Sequence, residues 1–405
     1  MPEFGLIFRA LLRNKTGALL IALQIALTLA IMVNAIFMML DRSQQMARPS
    51  GMDEANTFYL SNTVFGQNYP MQQMVARDLD LLRKTPGVLA ASQINAIPLS
   101  GGGWSMGIST DSGKDANGQG AAVYMVDQQG AAALGVELIG GENFVQSDVM
   151  WRDQASSKWP AKVMLSQALA AKLFNDHWQQ ALGKTVYIAE TQAMTVIGIY
   201  KTLQSPWHGW GNTEHSMLVP QQLENRGARY LIRTEAGRRD ELMPQLEKML
   251  AEADQQRIIR NVQTMQQTRA DSYREHNATN KTLLTVVVVL TLITGFGIVG
   301  LAMFSINRRV RAIGTRRALG ASQWQIMRYF MAENLLISLA GVVLGAIAAV
   351  GLNMWLVDTF SVKPMGPGLL VGGVMALLLV GQLAVSYPSL LAARISPATA
   401  TRGRS

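Results

Sequence analysis

Residues 307–329 read NRRVRAIGTRRALGASQWQIMRY, a connector with six arginines and no acid set between two long apolar runs. Lys and Arg resist translocation, so a cationic connector between two spans marks the cytoplasmic side of a membrane. Inside it, Ile313-Gly314 and Ala318-Leu319-Gly320-Ala321 form uncharged patches, which suggests a surface on which something packs.

Outward from this connector, four stretches carry no charge at all: residues 17–40, 282–306, 334–357 and 366–393. Each is long enough to cross a hydrocarbon core of ~30 Å at about 1.5 Å per residue, whereas buried core helices run about 10–14 apolar residues. The chain is 49% hydrophobic and only 16% charged, against about 25% charged for a soluble protein. The layout this predicts is an N-terminal segment 1–16, a span 17–40, an outer domain with a stalk helix 41–281 and a second span 282–306. A connector 307–332, a span 333–357, a short loop 358–366, a fourth span 367–390 and a tail 391–405 follow. The fold class is thus an α-helical membrane protein with four transmembrane helices and a large mixed α/β domain inserted between helices 1 and 2.

Charge sets the expected orientation. Arg9, Arg13 and Lys15 precede the first span, Arg394, Arg402 and Arg404 follow the fourth, and Asp358 and Lys363 cancel in the short loop. Both termini therefore fall on the connector's side, the cytoplasm. Segment 41–281, with 23 basic and 24 acidic residues, lies outside. The net charge of +9 is then a topology signal and not the footprint of a nucleic-acid binder. The first span, about 24 apolar residues against the 7–15 of a signal peptide, reads as an uncleaved anchor. With no cysteine in the chain, the outer domain uses no disulfide.

The outer segment is large enough for its own core, in one or two lobes. A helix is expected over 71–84, where Val75, Leu79 and Leu82 recur at helical spacing, stopped by Thr85-Pro86-Gly87. Strands are expected at 88–97, 122–126, 162–165, 185–189, 194–200, 216–219, 230–234 and 257–262. Helices are expected at 131–134, 167–175 and 239–253, an alternation that argues α/β or α+β lobes. Thr264 followed by Gln267 is a capping-box pattern. No Pro or Gly intervenes from Met265 to Gly295, which predicts one helix of about 40 residues, ~60 Å long, running into the second span. A kink near 277–281 is the alternative.

Sites for chemistry are sparse. Gly183-Lys184-Thr185 resembles the end of a phosphate-binding loop, but Trp178 stands where the first glycine belongs and a strand follows, so it reads as a turn. His177, His208, His215 and His276 lack metal-ligand spacing. His208 and His215 flank a Trp-Gly-rich loop at 207–211, either a ligand surface or a packed loop. Gln24, Asn34, Asn353, Gln382 and Ser386 are among the polar residues within spans, while Glu333 and Asp358 stand at the ends of the third. This argues against a proton path and for interhelical hydrogen bonds. Gly341 and Gly345, with Ala349, give the third span a small-residue stripe for close helix packing. The chain reads as a non-catalytic subunit.

One span, a large outer domain and three further spans with a basic connector resemble the permease subunits of MacB/FtsX-like (type VII, mechanotransmission) ABC transporters. The connector 311–321, RAIGTRRALGA, is similar to the family pattern R-x-E-I-G-x-R-x-A-L-G-A. Ala332-Glu333-Asn334-Leu335-Leu336 resembles its acidic entry into the third span, and the tail from Pro388 through Ala392-Ala393 to Pro397-Ala398 its ending. Thr85-Pro86-Gly87-Val88 and the run from Val163 through Leu173-Phe174 to Gly183-Lys184 resemble the MacB-type outer module. Where the family carries Glu before Ile-Gly, this chain has Ala312.

The resemblance implies a coupling helix docked on a cytoplasmic ABC ATPase dimer on a separate polypeptide, which would carry ATP and Mg; no cofactor is expected in this chain. Ile313, Ala318 and Leu319 would enter the ATPase groove. Arg311, Arg316 and Arg317 would make polar contacts, and Gly314 and Gly320, with Ala321 beside them, would allow close approach or a helix end. Snorkelling to lipid headgroups accounts for Arg308 and Arg309. The implied machine sits in a bacterial inner membrane, pairs with a second copy or a related permease, and has a periplasmic adaptor and outer-membrane channel as further expected partners. Export of a drug, peptide or similar cargo is the function implied. An FtsX-like mechanical transmitter acting on a periplasmic partner and Lol-like lipoprotein extraction are the alternatives.

Overall fold

The computed structural model describes residues 15–65, 69–113, 118–153, 156, 158–360 and 364–396. Arg9, Arg13, Lys363, Pro397, Ala398, Arg402 and Arg404, on which part of the expected topology rests, lie outside them. The chain divides into two units, Gln45–Glu275 and the helices on either side of it in sequence.

Helix α1 (Lys15–Met46) opens the described chain. After it come β1 (Thr57–Val64), α2 (Met71–Lys84), β2 (Val88–Gln93), β3 (Trp104–Ser109), β4 (Gln119–Val126), α3 (Gly130–Leu134), β5 (Leu138–Gly141) and β6 (Met150–Arg152). They are followed by β7 (Lys162–Ser166), α4 (Gln167–Leu173), β8 (Thr185–Ile188), β9 (Gln192–Tyr200), β10 (Ser216–Leu223), β11 (Gly227–Thr234), α5 (Arg239–Ala253), β12 (Arg257–Thr264) and α6 (Met265–Ser272).

Within Gln45–Glu275 one lobe is nested inside the other. The outer lobe is a four-stranded sheet in the order β12-β1-β11-β2, made by two β-α-β halves, β1-α2-β2 and β11-α5-β12. Period-2 alternation divides each strand between two cores. Phe58, Leu60, Ala91, Tyr230 and Ile232 face the helices and meet Val75, Leu79, Leu82, Leu242, Leu246 and Leu250. Tyr59, Ala90 and Leu231 face the other lobe. Under the helices an ion pair is fully buried: the Asp78 carboxylate accepts from Arg257 and, at 2.7 Å, from the Tyr230 hydroxyl.

The nested lobe closes on itself. Its strands run β4-β3-β8-β9-β7-β10, and β10 pairs parallel with β4, so six strands form a ring. β5 and β6 attach to β9 and β10. Val123, Met125, Val163, Leu165, Val186, Ile188, Met194, Val196, Met217 and Val219 fill the interior. The alternate residues Ala122, Tyr124, Met164 and Leu218 pack outward in the core shared with the outer lobe. Gly183, at φ +72°, turns the chain into β8, which is all that the Gly183-Lys184-Thr185 stretch does.

Thr264 and Gln267 form the expected capping box, Thr264 Oγ1 accepting from the Gln267 amide at 3.1 Å and Gln267 Oε1 from the Thr264 amide at 3.0 Å. The single helix of about 40 residues is not found. Helix α6 stops at Tyr273 (φ −99°, ψ 13°), and α7 (Arg274–Arg308) begins after it. The Tyr273 side chain is buried, its hydroxyl donates to the Gln45 carbonyl at 3.3 Å, and its ring lies 5.0 Å from that of His208. This anchorage takes Tyr273 out of helical register four residues before the alternative kink.

The remaining helices are α8 (Val310–Ala318), α9 (Gln323–Phe360) and α10 (Pro367–Ala393). Among the described residues, α1, α7, α9 and α10 are the helices long and apolar enough to cross a membrane, and in sequence the large α/β domain falls between the first two. Ile25, Leu29 and Val33 of α1 meet Ile298 of α7, Val342 of α9 and Leu377 and Val385 of α10 in one core.

Candidate functional site

The connector folds as a helix with Gly314 inside it and no proline, and it ends where Gly320 takes φ +94°. That conformation lets the Gly320 amide reach the Arg317 carbonyl at 3.1 Å and the Ala321 amide reach the Arg316 carbonyl at 3.0 Å, closing the C-terminus in the manner glycine allows.

Helix α8 has two faces. Ile313 and Gly314 are buried, Ile313 in a cluster with Ile306, Ile326, Phe330, Ala392 and Ala393. Arg311, Ala312, Thr315, Arg316, Ala318, Leu319 and Gly320 are exposed, and Leu319 is 83% exposed. An apolar side chain so exposed at a helix end, bordered by cations, has the composition of a docking point.

Three of these side chains have partners within the chain itself. Ile313 is 4% exposed and packs against its own chain. The Arg317 guanidinium donates to the Ala321 carbonyl at 2.9 Å and braces the turn. Arg309 leaves the headgroup role: its two terminal nitrogens donate to the two Glu333 oxygens at 2.8 and 3.0 Å, and Nη1 also lies 3.3 Å from the Tyr329 hydroxyl. Arg308 lies 5.5 Å from the Phe304 ring, and Arg316 lies 5.2 Å from the ring of Tyr329.

The small-residue stripe lies against α1. A Cβ added at Gly341 would come 2.8 Å from Ile25 Cβ, and one at Gly345 would come 2.9 Å from Ala26 Cα. Ala349 is fully buried, and its carbonyl accepts from Asn34 at 3.1 Å. Amides and hydroxyls link the helices further. Asn353 donates to Asn34 at 3.3 Å, Asn334 donates to the Gly381 carbonyl at 3.0 Å, and Thr28 and Thr294 share a 2.8 Å hydrogen bond. Ala18, Ile21, Ile298, Phe330, Glu333 and Asn334 are among the residues around a cavity of about 40 Å³, water-sized rather than substrate-sized.

In the α/β unit, the 207–211 loop is half-buried and, with Gly101 and Ser105, lines an open pocket of about 470 Å³. Trp207 and Trp210 meet edge to face at 5.6 Å, and His208 Nδ1 lies 3.0 Å from Ser272 Oγ. A second tie of this kind escapes sequence reading. Arg269 pairs with Glu54 through contacts of 2.6 and 2.8 Å and donates to the carbonyls of Met46 and Arg48 at 2.9 and 3.1 Å. It fastens the stretch leaving α1 to α6. No spacing rule links residues more than 200 apart, and the one signal was an arginine in an otherwise polar helical turn.

Two family models match the chain: the MacB-like periplasmic core domain over residues 19–259 and the FtsX-like permease C-terminal over residues 284–397. A macrolide export ATP-binding/permease protein MacB of Chromobacterium violaceum is 25% identical, covering 68% of this chain and 42% of that protein. The MacB of Neisseria gonorrhoeae is 27% identical over 58% of this chain and 35% of its own length. A pyoverdine export ATP-binding/permease protein PvdT of Pseudomonas savastanoi is 27% identical over 31% and 19%. The chain thus spans less than half the length of these curated relatives. Among solved structures, the periplasmic region of MacB from Actinobacillus actinomycetemcomitans aligns with TM-score 0.33 and 15% identity, covering 54% of this chain and 94% of that one. The extracellular domain of the transporter YknZ aligns with TM-score 0.31 and 15% identity, covering 50% and 100%.

Proposed function

The chain belongs to the family defined by the MacB-like periplasmic core domain and the FtsX-like permease C-terminal, and from that membership we propose that it is the permease of an ATP-driven exporter whose coupling helix is α8. The two-faced α8 carries this reading. Its inner face fixes it to α9 and α10 through Ile313, and its outer side offers the exposed Arg311, Arg316 and, at its C-terminus, Leu319. A cytoplasmic ABC ATPase dimer binding ATP and Mg would seat Leu319 in an apolar groove and meet the arginines with carboxylates. In this reading the connector and both termini are cytoplasmic, the α/β domain is periplasmic, and the protein sits in the inner membrane beside a second permease.

Closure of two ATPases on ATP would move α8, and the motion would pass along the span helices to the periplasmic unit, a mechanotransmission scheme in which cargo need not cross between the spans. A periplasmic adaptor and outer-membrane channel would complete the route for a drug, peptide or similar cargo.

The test is co-purification and ATPase stimulation with Leu319→Asp and Arg311→Glu. Each leaves the buried Ile313 face intact, so the chain should fold and insert while losing ATPase binding by about tenfold or more, the equivalent of about 1.4 kcal/mol. Unchanged assembly and stimulated hydrolysis in both variants would remove the basis of the proposal.

A further inference from the structure

Arg309 is the residue at which α7 ends and α8 begins. Its own backbone is non-helical (φ −112°, ψ 11°), while its carbonyl accepts the first bond of α8, from Ile313 at 2.9 Å. A cation at this point is disfavoured by the dipole of α8 and favoured by that of α7, so the helix dipoles do not explain it. Its partner does: Glu333, 8% exposed and 24 residues further on, takes both guanidinium nitrogens in a parallel fork. Glu333 and Asp358 are the two acidic residues of the entire 276–405 stretch. Neighbouring contacts brace the pair. Tyr329, one turn before Glu333, touches Arg309 through its hydroxyl and faces Arg316 of α8 with its ring.

We infer that Arg309 and Glu333 form a latch setting the angle of α8 to α9, with Glu333 as its positioning residue. This rests on α8 being the coupling helix. Ile313 supplies adhesion between the two helices, but apolar contact is non-directional and allows rotation. A forked ion pair fixes orientation because both donors and both acceptors must stay in one plane. With it, a push on the exposed face of α8 turns α9; without it, α8 pivots on Ile313 and the push is lost.

The absence of native cysteine makes the test direct. Spin labels on Thr315→Cys of α8 and Leu390→Cys of α10 report the placement of α8 in the full chain in lipid nanodiscs, with no ATPase required. A single narrow distance is expected in the otherwise native chain. Glu333→Gln or Arg309→Gln should broaden it and lower stimulated hydrolysis about tenfold while ATPase co-purification persists. The exchanged pair, Arg309→Glu with Glu333→Arg, should restore both readouts, which a merely misfolded variant would not do. An unchanged distribution in either single variant, or a broad one that the exchanged pair leaves broad, overturns the latch. If the native chain binds no ATPase, the coupling proposal fails on that result, and the distance measurement still decides the latch.

Discussion

At the scale of single residues, six arginines that look interchangeable in sequence divide into distinct roles. Arg309 is paired, Arg317 braces a turn, and Arg311 and Arg316 reach the surface. Composition and position locate the connector but cannot assign these roles, because Arg309 and Arg316 depend on what Glu333 and Tyr329 present from α9, and Arg317 on the turn at Ala321. Ile313 shows the same limit: hydrophobicity marks it for burial, and only the fold decides whether the burying surface is its own chain or another. His215 allows a test in the outer unit. It is partly buried, its Nδ1 has no hydrogen-bond partner, and burial holds the imidazole below its ordinary value. The neutral form is thus favoured in the folded state. Its contribution to stability is complete above about pH 6.5 and is lost as pH falls from there through the depressed folded value, where the unfolded chain binds more protons. Thermal unfolding between pH 7.5 and 5 should therefore fall off less steeply in His215→Gln than in the native chain.

At the scale of elements, segments with clear apolar spacing are legible, down to the short strands β7 and β8, while four other strands are not. Helices α2 and α5 lie where their apolar spacing places them, whereas β1, β3, β5 and β6 have no counterpart in the sequence reading. β1 is the costly omission, since it lies in the interior of its sheet between β12 and β11. Its sequence TFYLSNTV is rich in aromatic and β-branched residues, but it buries both faces, so the polar alternation that marks a half-exposed strand is absent. The stalk failed for another reason. The absence of Pro and Gly permits a continuous helix without enforcing one, and the anchorage of Tyr273 prevailed. In the membrane half, the glycine stripe of α9 makes a graded test. Gly345→Leu would drive a side chain into the Ala26 backbone and should cost about 1–3 kcal/mol. A Cβ added at Gly351 on the same helix would meet nothing within 4 Å, so Gly351→Leu should be nearly neutral. Denaturant-induced unfolding in mixed micelles compares the two.

At the scale of the whole molecule, the four-helix-plus-domain plan is readable because charge depletion and the basic connector are properties of long windows, which average over local error, while the family rests on the resemblance of particular stretches such as 311–321. The nesting of one lobe within another was not, since no window spans it. Gln45–Glu275 holds its own cores and should fold without the spans. In that fragment Arg269→Ala should lower stability by about 2 kcal/mol, as Glu54 loses its charged partner and two carbonyls lose a donor; calorimetry on both proteins measures it.

The nesting also dictates an order of events during synthesis. β1 emerges early, yet its sheet partners lie near residues 230 and 260, so it must wait, unpaired and apolar, while the six-strand ring is made. The ring needs nothing outside residues 104–223 and can close first, bringing β2 and β11 together at its base. Until β12 arrives, the exposed β1 is the segment of the nascent chain most in need of a chaperone.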